Sequence, residues 1–178
     1  MSAVCPSWLS FILYNPVRKV LTNRESILDE AGITQDSVVL EIGAGNGFFT
    51  EVIALRAEKV IAVELQEAMI KKLKKRMQAV LDKVDIVQGD IASISVGEEF
   101  ADVCLMYYCF HEVAHKADAA IHISSAVRNG GILSIYEPTT EVSKSAMQKT
   151  IELFEQRGFS IEFGRDGAFT RFARLRKK

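Results

Sequence analysis

Short runs rich in β-branched residues alternate with longer amphipathic stretches along most of this 178-residue chain, and no other feature constrains the fold as tightly. Parallel strands cannot be closed by a tight turn, so alternation of this kind requires helical crossovers between neighbours in one sheet. The strand runs are Ser37–Ile42 (SVVLEI), Lys59–Glu64 (KVIAVE), Val84–Gln88 (VDIVQ), Ala101–Tyr107 (ADVCLMY) and Ile132–Glu137. Helical patterns cover Gly47–Ala57, Glu67 to about Leu81, His115–Arg128 and Val142–Arg157, the last two stopping at Gly130-Gly131 and at Gly158. Two final strands, Phe159–Gly164 and Ala168–Leu175, flank Asp166-Gly167, a dipeptide that favours a hairpin. The pattern predicts an α/β fold, a doubly wound seven-stranded sheet with helices on both faces and a C-terminal antiparallel hairpin. The unbroken apolar character of VVLEI, VIAV and ILSIY suits strands covered on both sides.

The length suffices for one ordinary domain and not for two, so residues 1–178 are expected to form a single domain. Within it, 33–178 read as the α/β core and 1–32 as an N-terminal helical cap. The cap comprises Ser7–Tyr14, Pro16–Leu21 behind an Asn15 cap, and Arg24–Ala31 ending at Gly32. A hydrophobic content of 48% excludes a disordered chain. A net charge of −1 gives no global electrostatic reason to bind nucleic acid, which is not expected as a partner. Cys5, Cys104 and Cys109 lack scaffold spacing, which points to a reducing, cytoplasmic setting. The apolar stretch Trp8–Tyr14 follows Pro6, has no basic flank and is too short to cross a bilayer, so no membrane association is expected.

Sheets of this class bind ligands at the carboxyl ends of their strands. There the first strand gives way to Glu41-Ile42-Gly43-Ala44-Gly45-Asn46-Gly47-Phe48, with glycines at alternate positions before a helix. The spacing departs from the dinucleotide fingerprint, whose third glycine falls one position later. Glu41 precedes the turn, where a carboxylate opposes a pyrophosphate and attracts a cation. Glu64 ends the second strand, where a carboxylate can accept both hydroxyls of a ribose. Asp90 follows the third in Gln88-Gly89-Asp90-Ile91, suited to accept from an exocyclic amine while Ile91 covers a ring. Three carboxylates around one glycine turn favour a cationic nucleoside over a diphosphate.

VVLEIGAGNGFFTEVIA, VIAVELQ, VQGDI, FADVCLMYYCFHEV and GGILSIYEP, in this order, resemble the motifs of class I S-adenosylmethionine-dependent methyltransferases. The motifs cover about Gly32 to Pro138, and the terminal hairpin matches the sixth and seventh strands of that Rossmann-like fold. The resemblance implies S-adenosylmethionine as cofactor and S-adenosylhomocysteine as product. It implies that Gly43, Gly45 and Gly47 line the methionine and ribose portion, with Glu41 near the methionine amino group. By the same resemblance Glu64 holds the ribose, Leu65 and Ile91 lie against the adenine, Asp90 accepts from its amino group, and Tyr107 borders the sulfonium. Glu stands at 41 and 64, where Asp is commoner in the family.

The residues after the fourth strand separate subfamilies. Enzymes of this fold that methylate adenine or glutamine nitrogens carry an Asn/Asp-Pro-Pro-Tyr-like turn there, whereas this chain reads Tyr107-Tyr108-Cys109-Phe110-His111-Glu112. The first motif looks like ribosomal RNA adenine dimethyltransferases, but the missing turn and the absence of a further C-terminal domain argue against that activity. The HEV sequence and GGILSIYEP look closer to the small-molecule branch that includes quinone-biosynthesis methyltransferases, which implies a small-molecule acceptor. His111 is the first candidate for a general base, with Glu112 and Tyr107 as alternatives, because imidazole titrates near working pH. Tyr14 and Arg18 on the N-terminal segment, acting as a lid, and Tyr108 are candidates for contacting the acceptor.

His111-Glu112-Val113-Ala114-His115 also matches H-E-x-x-H, so a zinc-dependent hydrolase is a competing reading, as are an RNA methyltransferase and a catalytically silent nucleoside-binding module. The run follows a strand rather than lying mid-helix, and no third ligand is evident, so no metal is expected. The basic cluster Lys71, Lys72, Lys74, Lys75 and Arg76 reads as a solvated helix face, to which Arg171, Arg174, Arg176, Lys177 and Lys178 could add a basic surface.

Overall fold

The computed structural model describes residues 22–178. The helical segments expected within Ser7–Leu21, and with them Tyr14, Arg18 and the lid, lie outside the described residues. Helix α1 (Arg24–Ala31) is capped by Asn23, whose side chain accepts from the Ser26 amide, and ends at Gly32.

Strands β1 (Val38–Ile42), β2 (Lys59–Glu64), β3 (Val84–Gln88), β4 (Ala101–Tyr107), β5 (Val127–Pro138), β6 (Phe159–Asp166) and β7 (Thr170–Lys177) form one sheet in the order β3-β2-β1-β4-β5-β7-β6. The pairs from β3 through β5 are parallel, and β7 runs antiparallel to both β5 and β6. The strand order reverses between β1 and β4, the topological switch point at which such sheets open a crevice.

Alternation along each buried strand sends side chains to two separate cores. Leu40, Ile61, Val63, Cys104, Met106, Leu133 and Ile135 pack on one face against α4 (Lys116–Ala126) and α5 (Lys144–Glu155), through Ile123, Ile151 and Phe154. Val39, Val60, Ala62, Val103 and Leu105 pack on the other against α1, α2 (Thr50–Arg56) and α3 (Glu67–Arg76), through Leu28, Ile53 and Leu73. Two covered faces explain why these strands read as unbroken apolar runs.

Four boundaries differ from the sequence reading. The helix after the glycine turn begins at Thr50 rather than Gly47, because the chain makes turns through 45–49 first. The charged helix ends at Arg76 and gives way to short 3-10 turns at Met77–Ala79 and Leu81–Lys83. Gly130-Gly131 does not precede β5 but lies inside it: pairing passes from Ala101–Val127 to Val103–Ile132, so the pair sits in an irregularity of the strand, Gly130 exposed and Gly131 buried. The terminal hairpin forms as expected, but Asp166 still pairs with Arg171 and the Gly167 amide donates to the Thr170 carbonyl at 3.0 Å. The reversal is therefore at Ala168-Phe169, one step beyond the Asp-Gly dipeptide. No helix among the described residues is long and apolar enough to cross a membrane.

Candidate functional site

A cleft of about 430 Å³ opens at the carboxyl ends of β1, β2, β3 and β4. One wall carries Gly43, Gly45, Glu64, Leu65, Asp90 and Ile91, and the other Tyr108, Cys109, His111, Glu112 and Val113. Of the described residues expected at the site, Glu41, Gly47 and Tyr107 do not line it.

The glycine turn is shaped by close approach. Gly43 has φ +71°, and a Cβ there would lie 2.5 Å from Cys109 Cβ. Gly45 has φ +57° but open space around it, the nearest group being the Gly43 carbonyl at 3.9 Å. The Gly43 backbone thus meets Cys109, in the loop after β4, across the crevice, and only glycine permits that spacing. The Cys109 thiol completes the contact by donating to the Ile42 carbonyl at 3.0 Å, and burial holds it well above the ordinary thiol range.

Glu64, buried at the end of β2, accepts from the Gly45 amide at 2.8 Å and from the Gln66 amide at 2.8 Å, one bond to each oxygen. A carboxylate oxygen has a second lone pair, so both oxygens keep an acceptor position for a ligand hydroxyl. Asp90 accepts from the Ala92 amide at 2.9 Å, which fixes the carboxylate at the start of the loop. Leu65 is 47% exposed although apolar, whereas Ile91 on the same wall is buried. An uncovered leucine beside two fixed carboxylates suits a ligand with a flat apolar ring and several donors. That donor and acceptor set fits an adenosine group.

Glu41 is placed behind this wall. Its side chain alternates with those of Leu40 and Ile42 and so points toward α2, where the Thr50 hydroxyl donates to it at 2.6 Å. Burial, helped by the charge of Glu64 and opposed by the Thr50 bond, pushes its pKa up to about 8. Gly47 faces Leu73 on α3. Tyr107 is held in an aromatic row, its ring 4.3 Å from Phe49 and 4.4 Å from Tyr108. Tyr108 itself has φ +56°, a conformation uncommon for a bulky residue, and its hydroxyl is bonded to that of Thr170.

His111 sits in a 3-10 turn, Phe110–Glu112, and His115 is the N-cap residue of α4. The HEVAH run therefore spans a turn and a helix start, and the one-face geometry of H-E-x-x-H on a helix is not formed. Instead, His111 Nδ1 lies 2.5 Å from Glu137 and Nε2 3.2 Å from Glu141. Burial works against a charge on this ring, but the hydrogen bond and charge of Glu137, with Glu141 and Glu112, outweigh it and raise the His111 pKa. Sequence reading did not single out Glu137 or Glu141, although Glu137 in SIYEP ends a strand as Glu64 does.

A second cavity of about 520 Å³ adjoins the first, sharing His111 and Glu141 with it. On β7, next to the edge strand β6, Arg171 and Arg176 donate to the Val142 and Gly130 carbonyls, and Lys177 to those of Ser124 and Val127. Glu67 and Lys71 form an (i, i+4) ion pair at 2.8 Å on α3.

Residues 40–135 match the profile of a family described as a methyltransferase domain. An uncharacterized methyltransferase of Geobacillus sp. is 31% identical over 144 residues, covering 80% of this chain and 66% of that protein. A probable ribosomal RNA small subunit methyltransferase A of Methanosarcina mazei is 40% identical over 74 residues, covering 42% of this chain and 27% of that one. The chain thus spans about two thirds or less of the length of these relatives. Among solved structures, a SAM-dependent methyltransferase from Aquifex aeolicus superposes with a TM-score of 0.85 at 18% identity, covering 97% of this chain and 98% of that one.

Proposed function

The chain belongs to the methyltransferase domain family, and from that premise we propose that it transfers the methyl group of S-adenosylmethionine to a small-molecule acceptor. The observation that carries the reading is the cleft at the switch point. There Gly43, Gly45, Glu64, Leu65, Asp90 and Ile91 meet on one wall, opposite His111 and Glu112. In this reading Glu64 accepts the ribose hydroxyls, Asp90 accepts from the adenine amine, and Leu65 and Ile91 enclose the ring. The cofactor supplies an activated methyl group on a sulfonium. The chain's contribution is to fix the reacting groups in line and to exclude water. His111 faces the acceptor, and Cys109 remains a packing residue because its thiol is bonded to the Ile42 carbonyl and desolvation raises its pKa.

A small-molecule acceptor is favoured because Arg171 and Arg176, which could have formed a basic track for RNA, are ion-paired with Asp166 and Glu162. An RNA acceptor is the second reading, supported by the stretch shared with the Methanosarcina mazei protein. The test begins with calorimetry of S-adenosylhomocysteine binding. Transfer from radiolabelled S-adenosylmethionine is then measured to a panel of small phenols, amines and quinols and to ribosomal RNA fragments. Label entering a small molecule supports the proposal, label entering RNA alone overturns the acceptor class, and failure to bind S-adenosylhomocysteine overturns the cofactor reading.

A further inference from the structure

Glu137 is the least expected member of the site. It is 2% exposed at the end of β5, and both its oxygens bond a single residue. One accepts from the His111 backbone amide at 3.1 Å, and the other meets His111 Nδ1 at 2.5 Å. Holding the main chain and the ring of the same residue leaves the imidazole little freedom to rotate. A carboxylate only accepts, so Nδ1 carries the proton and Nε2 is the ring nitrogen left for other partners.

Around the ring, Glu112 on its own turn approaches Nε2 at 4.0 Å and Glu141, from the loop after β5, at 3.2 Å. Lys116 at the start of α4 donates to the His111 carbonyl at 3.0 Å and not to the ring. Glu141 only accepts, so it holds Nε2 only while the ring carries both protons, and at 63% exposed that hold is screened by water and weak. Both cavities are lined by His111 and Glu141, and the second also by Glu137.

We propose that Glu137 is the positioning residue of this site: it keeps the proton of neutral His111 on Nδ1 and presents Nε2 where the two cavities meet, beside Glu141, which pairs with Nε2 only while the ring carries both protons and leaves Nε2 open as an acceptor once the ring is neutral. The assignment rests on the methyltransferase reading only for the identity of what arrives at Nε2. The Glu137–His111 arrangement itself is independent of it.

Histidine NMR tests this directly, since the chain has three histidines and a His111→Asn variant assigns the signal. In the wild-type protein, long-range nitrogen–proton spectra above the titration midpoint are expected to show neutral His111 with its proton on Nδ1. In Glu137→Gln the midpoint is expected to fall and the tautomer preference to weaken, and in Glu141→Gln the midpoint is expected to fall by less, with the tautomer kept. A neutral ring carrying its proton on Nε2 overturns the proposal, as does a Glu137→Gln spectrum that titrates like wild type. Should Glu137→Gln fail to fold, the wild-type tautomer alone decides. Calorimetry of S-adenosylhomocysteine with wild-type protein is read separately: its failure removes the methyltransferase reading and leaves the tautomer result standing.

Discussion

Replacing Gly43 by alanine isolates how the glycine turn is built. Two costs are expected. An alanine in the left-handed region costs about 1–2 kcal/mol, which applies at φ +71°. The new Cβ would also lie 2.5 Å from Cys109 Cβ and 3.1 Å from its Sγ, an overlap with a half-buried neighbour that costs about 1–3 kcal/mol more. Together they destabilise the fold by about 2–5 kcal/mol. Gly45→Ala is the internal control. It shares the left-handed conformation, at φ +57°, but meets nothing closer than 3.9 Å, so only about 1–2 kcal/mol is expected. Urea unfolding of both variants measures the difference. Adding Cys109→Gly should recover the overlap cost in Gly43→Ala and recover nothing in Gly45→Ala, so the double-mutant cycle shows coupling at position 43 only. Equal destabilisation by the two alanines, or no coupling with Cys109, would refute the reasoning.

Glu64→Ala and Asp90→Ala each remove a charged acceptor worth about 1.5–3 kcal/mol, so S-adenosylhomocysteine affinity should drop roughly 10- to 100-fold by calorimetry. The larger loss is expected for Glu64, which also steadies the Gly45 and Gln66 amides. Glu41 has a folded-state pKa of about 8, above its value in the unfolded chain, so its contribution to stability is full in acid and is lost as pH rises toward 8. Glu41→Gln should therefore flatten the pH dependence of urea unfolding between pH 5 and about 8, and raise stability most at the upper end. Phe154→Ala empties a fully buried position packed against Phe110 and Phe159, and should cost about 3–5 kcal/mol of unfolding free energy while leaving the cleft residues in place.

Much of the architecture was legible in advance, because apolar periodicity is a local property of the chain. The five parallel strands are found within a few residues of their expected ends, except where Gly130-Gly131 hid an irregularity. A glycine pair reads locally as a stop, and only the pairing of Val127 with Ala101 shows that the strand has already begun. The hairpin was equally visible, but its turn moved one step because the β5–β7 and β6–β7 registers, which are long-range, fix which residues remain paired.

At the cleft the division is sharper. Position in the chain was enough to bring Gly43, Gly45, Glu64, Leu65, Asp90 and Ile91 to one wall, since each ends or follows a strand and parallel strands end together. It was not enough for Glu41, which lies on a strand one residue from the turn and is turned toward Thr50 by simple alternation. Nor did it reveal the partners of His111. Glu137 is 26 residues away and meets the imidazole only because β4 and β5 are neighbours whose ends open onto the same crevice. The sequence by itself determined the sheet, its helices and the wall of strand-end acids. Which face Glu41 takes, and which carboxylate holds His111, were decided by tertiary structure, because side-chain direction and strand adjacency join residues that the chain keeps apart.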